Sequence, residues 1–241
     1  MTKLEKMIKE HCPNGVEYIK FGELATIVRG ASPRPIHQYI TDDPKGINWI
    51  KIGDVEKGGK YITSTKEKIT IKGAKKSRFV KAGDFVLSNS MSFGRPYILQ
   101  IDGCIHDGWL AISDFDYYFI PDFLFHLLGS SEIQMTLSQR ASSGTVSNLN
   151  AEIVKSILLP IPPIPIQKEI INILDKFINI EVELEAELEA RKKQYEYYRN
   201  ELLTFNINSD IMKETAQQPN SPTAQQPNSP TAQQPNVGYV S

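Results

Sequence analysis

The chain has 241 residues, 40% hydrophobic and 23% charged, with a formal net charge of −1. That length allows one sizeable core plus an appendage, and the near-neutral balance alone argues nothing about nucleic acid, so its distribution along the chain matters more. The two cysteines, Cys12 and Cys104, lie far apart without a Cys-x-x-Cys, so reduced thiols in the cytosol are expected rather than a disulfide framework or a zinc site.

The N-terminal MTKLEKMIKEHCP has no apolar h-region, so no signal peptide is expected. Apolar-rich stretches at Ile47–Val55, Tyr61–Ile71 and Phe79–Leu87 read as strands, with Lys57-Gly58-Gly59-Lys60 and Ala82-Gly83-Asp84 as turns. Lys45–Lys81 holds eleven basic residues against Asp54, Glu56 and Glu67. Such a segment inside a neutral chain is an electrostatic footprint for a polyanion; a solvated lysine ribbon is the plainer alternative. Cys104, His106 and Asp107 fall close together, but Cys-x-His-Asp is not a usual ligand spacing and no second cluster accompanies it. A structural role is expected for the trio, with no metal and no cofactor. Trp49 and Trp109, among apolar neighbours, read as core residues, and His126 as a packed histidine at the core edge.

Phe119–Leu128 reads as a helix with Pro121 at its start, and Glu132–Gln139 as another. A polar loop, Ser142–Asn148, leads to the apolar run Ile157–Leu159 and a proline track, Pro160, Pro162, Pro163 and Pro165. Prolines fix φ and lack an N–H, so the track is expected to be an extended strap, neither helix nor central strand. Gln167 then opens a long helix to about Phe205. Steps of four and three place Ile170, Leu174, Phe177, Leu184, Leu188, Tyr195, Tyr198 and Leu202 on one seam, with Glu181 and Arg191 as its charged positions. A seam over more than four heptads without Gly or Pro signals a coiled-coil-like helix that needs a partner. Nowhere does an apolar run approach ~18 residues, so no membrane span is expected.

The expected architecture is an α+β fold: a mixed domain with a curved β-sheet over 1–160, a proline strap and long helix over 161–205, and a disordered tail over 206–241. Within the tail, Thr215–Asn236 repeats TAQQPNSP without charge or apolar periodicity. The eight-nucleotide unit ACAGCCCA, read through three successive frames, encodes that octapeptide. The tail is therefore expected to be a translated octanucleotide repeat, in which gain or loss of one unit shifts the frame. A 24-nucleotide linker repeat is the alternative, and the gene's codons decide between them.

Several segments in this order resemble a known family. They are GVEYIKFGELATIVRGASP at Gly15–Pro33, WIKIGDV at Trp49–Val55, KAGDFVLSNSMSFGRP at Lys81–Pro96 and GCIHDGWLAI at Gly103–Ile112. The strongest match runs from SSGTVSNLN through LPIPPIPIQKEI and into the long helix. Together they resemble the specificity subunits of type I restriction-modification systems, over about Gly15–Phe205. Typical members carry two target recognition domains and two spacer helices; this chain has one of each and looks like half a subunit.

The resemblance implies a cytoplasmic, non-catalytic reader of double-stranded DNA. Its helix would space two half-sites and dock methyltransferase subunits, which flip the target adenine, and a restriction subunit would join through the complex. A half subunit would homodimerise through the seam and read an interrupted palindrome. Base edges need Arg, Asn, Gln, Lys or Ser, and phosphates need Arg, Lys, Ser, Thr or backbone N–H. Four loops combine these: Arg29–Arg34, Lys72–Arg78, Ser88–Arg95 and Arg140–Asn148. Arg34, Arg78, Asn89 and Arg95 are the expected base readers, with Gln100 beside them. Lys51, Lys75, Lys76, Ser142 and Ser143 are expected on phosphates, and Arg29, Ser88, Arg140 and Asn148 complete the DNA-binding set. Two rivals remain: an adaptor whose body binds a protein, and a nuclease or methyltransferase. The chain shows no Walker motif, no Gly-x-Gly-x-x-Gly and no Asn/Asp-Pro-Pro-aromatic signature.

Overall fold

The computed structural model describes residues 1–55, 59–89, 94–142 (of Ser142, the backbone alone) and 149–204. Ser143, Asn148, the Ser142 side chain, the Lys57-Gly58 half of one expected turn and the repeat tail lie outside the described residues. The chain divides into two compact units, Met1–Val182 and Glu183–Ser241.

The first unit opens with α1 (Lys3–His11), β1 (Tyr18–Lys20), α2 (Phe21–Leu24), β2 (Thr26–Arg29), β3 (Ile40–Thr41) and β4 (Ile47–Ile50). Next come β5 (Tyr61–Ile62), β6 (Lys68–Ile69), α3 (Ile71–Ala74), β7 (Arg78–Val80), β8 (Phe85–Ser88) and β9 (Pro96–Leu99). β10 (Gly103–Ile105), β11 (Trp109–Ser113), α4 (Pro121–Gly129), α5 (Ser131–Ser142), α6 (Ala151–Ser156) and β12 (Leu158–Pro160) follow, and then α7 (Ile164–Leu203). This is the expected α+β fold with a long C-terminal helix.

Two five-stranded sheets organise the body, one in the order β2-β11-β8-β9-β5 and the other β3-β6-β4-β10-β7. The first is buried on both faces, and period-two alternation assigns its side chains. Phe85, Leu87, Ile98, Leu110 and Ile112 join Phe21, Phe119, Leu124 and Leu137 in a core beneath the helices. Val86, Tyr97, Leu99, Trp109 and Ala111 point the other way and meet Ile50, Val80 and Ile105 of the second sheet. Burial on both faces explains why these strands read as continuous apolar runs. Trp49, Ile69 and Cys104 form a smaller cluster. Both tryptophans are therefore core residues.

The chain crosses from one sheet to the other at His106–Gly108, the turn between β10 and β11. It crosses again over Gly30–Tyr39, between β2 and β3. Gly30 makes the first crossing possible: a Cβ there would lie 2.2 Å from the His106 carbonyl oxygen.

α4 begins with Pro121, in a first turn that leaves its N–H groups without intrahelical partners. α1 was not expected, although Thr2-x-x-Glu5 is a capping box: Thr2 Oγ1 accepts from the Glu5 N–H, and Glu5 accepts from the Thr2 N–H.

The proline track departs from expectation. Leu158–Pro160 is a strand, paired antiparallel with β1 in a two-stranded sheet. α7 begins at Ile164, three residues before Gln167, with Pro165 inside its first turn. Proline fits both places, because a strand end and a first helical turn each leave an N–H unneeded. The Pro163 carbonyl accepts from the N–H groups of Ile166 and Gln167 at 2.9 and 3.2 Å.

Gln167 is fully buried at the root of α7. Its amide donates to the carbonyls of Tyr118 and Pro162 at 2.8 and 2.9 Å, and its oxygen accepts from the Ile120 N–H at 2.9 Å. Ile171 is buried, and Ile170 packs against the main core. In the second unit, Leu184, Leu188, Tyr195, Tyr198 and Leu202 are each more than half exposed.

Candidate nucleic-acid interface

Two polar loops that are distant in sequence meet at the His106–Gly108 turn, and a third is tied to the first. From the first loop, Arg34 donates to the Asp107 carboxylate at 3.1 Å. Ser32 Oγ donates to the same carboxylate at 2.9 Å, and Arg29 Nε to the Asp107 carbonyl at 3.1 Å. From the third loop, Asn89 Nδ2 donates to that carbonyl at 2.8 Å, and the Asn89 N–H to the Gly108 carbonyl at 3.0 Å. The Leu149 N–H donates to the Asn89 carbonyl at 3.2 Å. From the second loop, Ser77 Oγ donates to the Ala31 carbonyl at 2.6 Å.

A cleft of about 970 Å³ opens beside the turn, lined by residues that include Arg34, His37, Trp49, Lys51, His106 and Asp107. Lys51 pairs with Glu67 at 2.5 Å across this wall. Burial pushes the Asp107 carboxyl up. The Ser32 hydrogen bond, the neighbouring His106 and the Arg34 guanidinium outweigh it and hold the group below the usual carboxylate range. Burial raises the Cys104 thiol, which keeps it protonated. Among the described residues, no group of three or more His, Cys, Asp or Glu could hold a metal ion.

The remaining candidates fall in four settings. Lys75, Lys76 and Arg78 are exposed at α3 and on β7, an edge strand. Lys76 is steadied by the Tyr39 hydroxyl at 2.6 Å and lies 5.0 Å from the centre of that ring. Arg95 lies over Tyr97, its guanidinium carbon 5.5 Å from the ring centre, and Gln100 is exposed just after β9. Arg140 donates to Ser156 Oγ at 2.6 Å. Ser88 and Asn89 are buried, at 1% and 3% exposure. Asn89 ties loops together from inside.

Residues 13–214 match the type I restriction modification DNA specificity domain. The chain belongs to that family. It is 29% identical over 230 residues to the type I restriction enzyme EcoprrI specificity subunit of Escherichia coli, a match covering 84% of this chain and 56% of that subunit. Its fold is similar to the HsdS subunit from Thermoanaerobacter tengcongensis, with a TM-score of 0.56 and 18% identity over 76% of this chain and 44% of that one. It is also similar to a chain from a study of complex assembly and conformational transition of the type I R-M system. There the TM-score is 0.59 and the identity 20%, over 75% of this chain and 43% of that one. The chain thus spans about half the length of these relatives.

As a type I specificity subunit, the chain carries one target recognition domain in its described residues. Sequence reasoning found the loops but missed the turn that joins them. Asp107, set aside with Cys104 and His106 for lack of a metal spacing, is where Arg29, Ser32, Arg34 and Asn89 converge. Asp107-Gly108 after a short strand is a turn signal. Nothing in the sequence, however, says that partners from 18 to 78 positions away will gather there.

Proposed function

We propose that the chain is the non-catalytic sequence reader of a type I restriction-modification complex. Its polar loops read one half-site of double-stranded DNA. The exposed seam of α7 pairs two copies, and the pair docks methyltransferase subunits that modify adenine; a restriction subunit joins through the same complex. The observation that carries this reading is the convergence of two polar loops on one turn beside an open cleft, with a third loop tied to the first through Ser77. Such a platform supplies fork-shaped guanidinium donors near exposed lysines, which suits base edges flanked by phosphates.

The test is co-expression of the chain with its cognate methyltransferase subunit, followed by single-molecule methylome sequencing of the host. The expected result is a new interrupted, palindromic methyladenine motif. A stable complex without a motif would instead identify a switched-off product of a shifted frame, and no complex at all would favour a protein-binding adaptor.

A further inference from the structure

Arg34 and Asp107 form an uneven pair. The Arg34 side chain is 81% exposed, whereas the Asp107 side chain is 26% exposed. The carboxylate is fixed from other sides by Ser32 Oγ at 2.9 Å and His106 Nε2 at 3.1 Å, and the Asp107 N–H returns to Ser32 Oγ at 3.2 Å. The backbone behind it is held by Arg29 and Asn89. A rigid anion thus grips one terminal nitrogen of an exposed guanidinium, while the planar fork has further donors to offer.

That arrangement discriminates between two DNA ligands. A phosphate oxyanion approaching Arg34 meets a charge already partly neutralised by the Asp107 carboxylate, an unfavourable setting for a clamp. A base edge carries only partial charges, and a pre-positioned fork matches the O6 and N7 acceptors of guanine. Resting on the DNA-reading proposal above, we infer that Arg34 reads a guanine in the major groove and that Asp107 is the positioning residue that aims it. The half-site therefore contains at least one G·C pair set by this couple.

The experiment uses the full chain assembled with its methyltransferase subunit. Methylation motifs are mapped, and binding is measured by competition with duplexes changed at each base pair in turn. Arg34→Lys keeps the charge and loses the fork; Asp107→Asn keeps the shape and loses the anion. Both are expected to relax discrimination at the same G·C pair by about 5- to 100-fold. The double variant should be no worse there than Arg34→Lys alone.

Uniform weakening across all sequences by Arg34→Lys, with the motif intact, would make Arg34 a phosphate contact and overturn the inference. So would relaxation at different positions by the two variants. Should Asp107→Asn unfold, Ser32→Ala replaces it, and the exposed Arg34→Lys decides the base contact by itself. A wild-type complex with no motif removes the DNA-reading proposal and this inference with it. A wild-type motif leaves that proposal standing, whatever the variants do.

Discussion

Single residues fix how closely the two crossings approach. Gly30 needs no special φ; it needs the absence of a side chain, because the His106 carbonyl occupies the space where a Cβ would sit. Its N–H donates to the Trp109 carbonyl at 2.9 Å, so the loop cannot back away without losing that bond. Gly30→Ala is expected to cost about 1–3 kcal/mol, as over-packing typically does, and to disturb Arg29 and Ser32 together. Urea unfolding of the full chain checks the first part, and DNA binding the second. Gly30 was visible in the sequence as part of the Arg29–Arg34 loop, but its reason was not. The clash lies 76 positions away, in a turn whose place depends on the whole sheet order.

At the scale of elements, legibility followed periodicity. α4 declared itself through Pro121 and the spacing of Phe123, Leu124, Leu127 and Leu128, and α7 through its uninterrupted seam. The proline track misled because proline forbids only what its missing N–H must supply; a strand end and a first helical turn ask nothing of it. The junction of α4 with α7 also carries a titratable group. His126 Nε2 is buried without a hydrogen-bond partner, 3.7 Å from Asp175. Burial first, and then the Lys60 ammonium, push its pKa down, against the opposing pull of Asp175 and Asp122. A histidine whose folded pKa lies below its ordinary value of ~6.5 contributes stability that is complete above that value and lost as pH falls through it towards the folded pKa. Thermal unfolding temperatures should therefore drop as pH falls below about 6.5, and His126→Gln should flatten that part of the profile. An unchanged slope in the variant would assign the pH sensitivity elsewhere.

At the scale of the whole molecule, the open question is what covers the seam. Leu184 and Leu188 are 60% and 55% exposed, and Tyr195 and Leu202 are more so. A helix with such a stripe gains little stability alone. In the proposed pairing, each leucine buried contributes about 1.5–3 kcal/mol. The double substitution Leu184→Glu, Leu188→Glu should then convert a dimer to a monomer in analytical ultracentrifugation without altering the fold of the body. A wild-type chain that sediments as a monomer at tens of micromolar, on the order of weak interfaces, would leave the seam to the methyltransferase subunits.

Gln167 grips only main-chain atoms: two carbonyls and one N–H. Main-chain groups are the same whatever residue carries them, so this clasp is blind to sequence. Tyr118, Ile120 and Pro162 could be exchanged for other residues without breaking it, provided the backbone kept its course and Pro162 still offered a carbonyl. None of the loops gathered at Asp107 takes part. The joint that mounts the helix and the surface proposed to meet DNA can therefore drift independently. One mounting can carry many vocabularies, and a body with new loops can be grafted onto an old helix without relearning how to hold it.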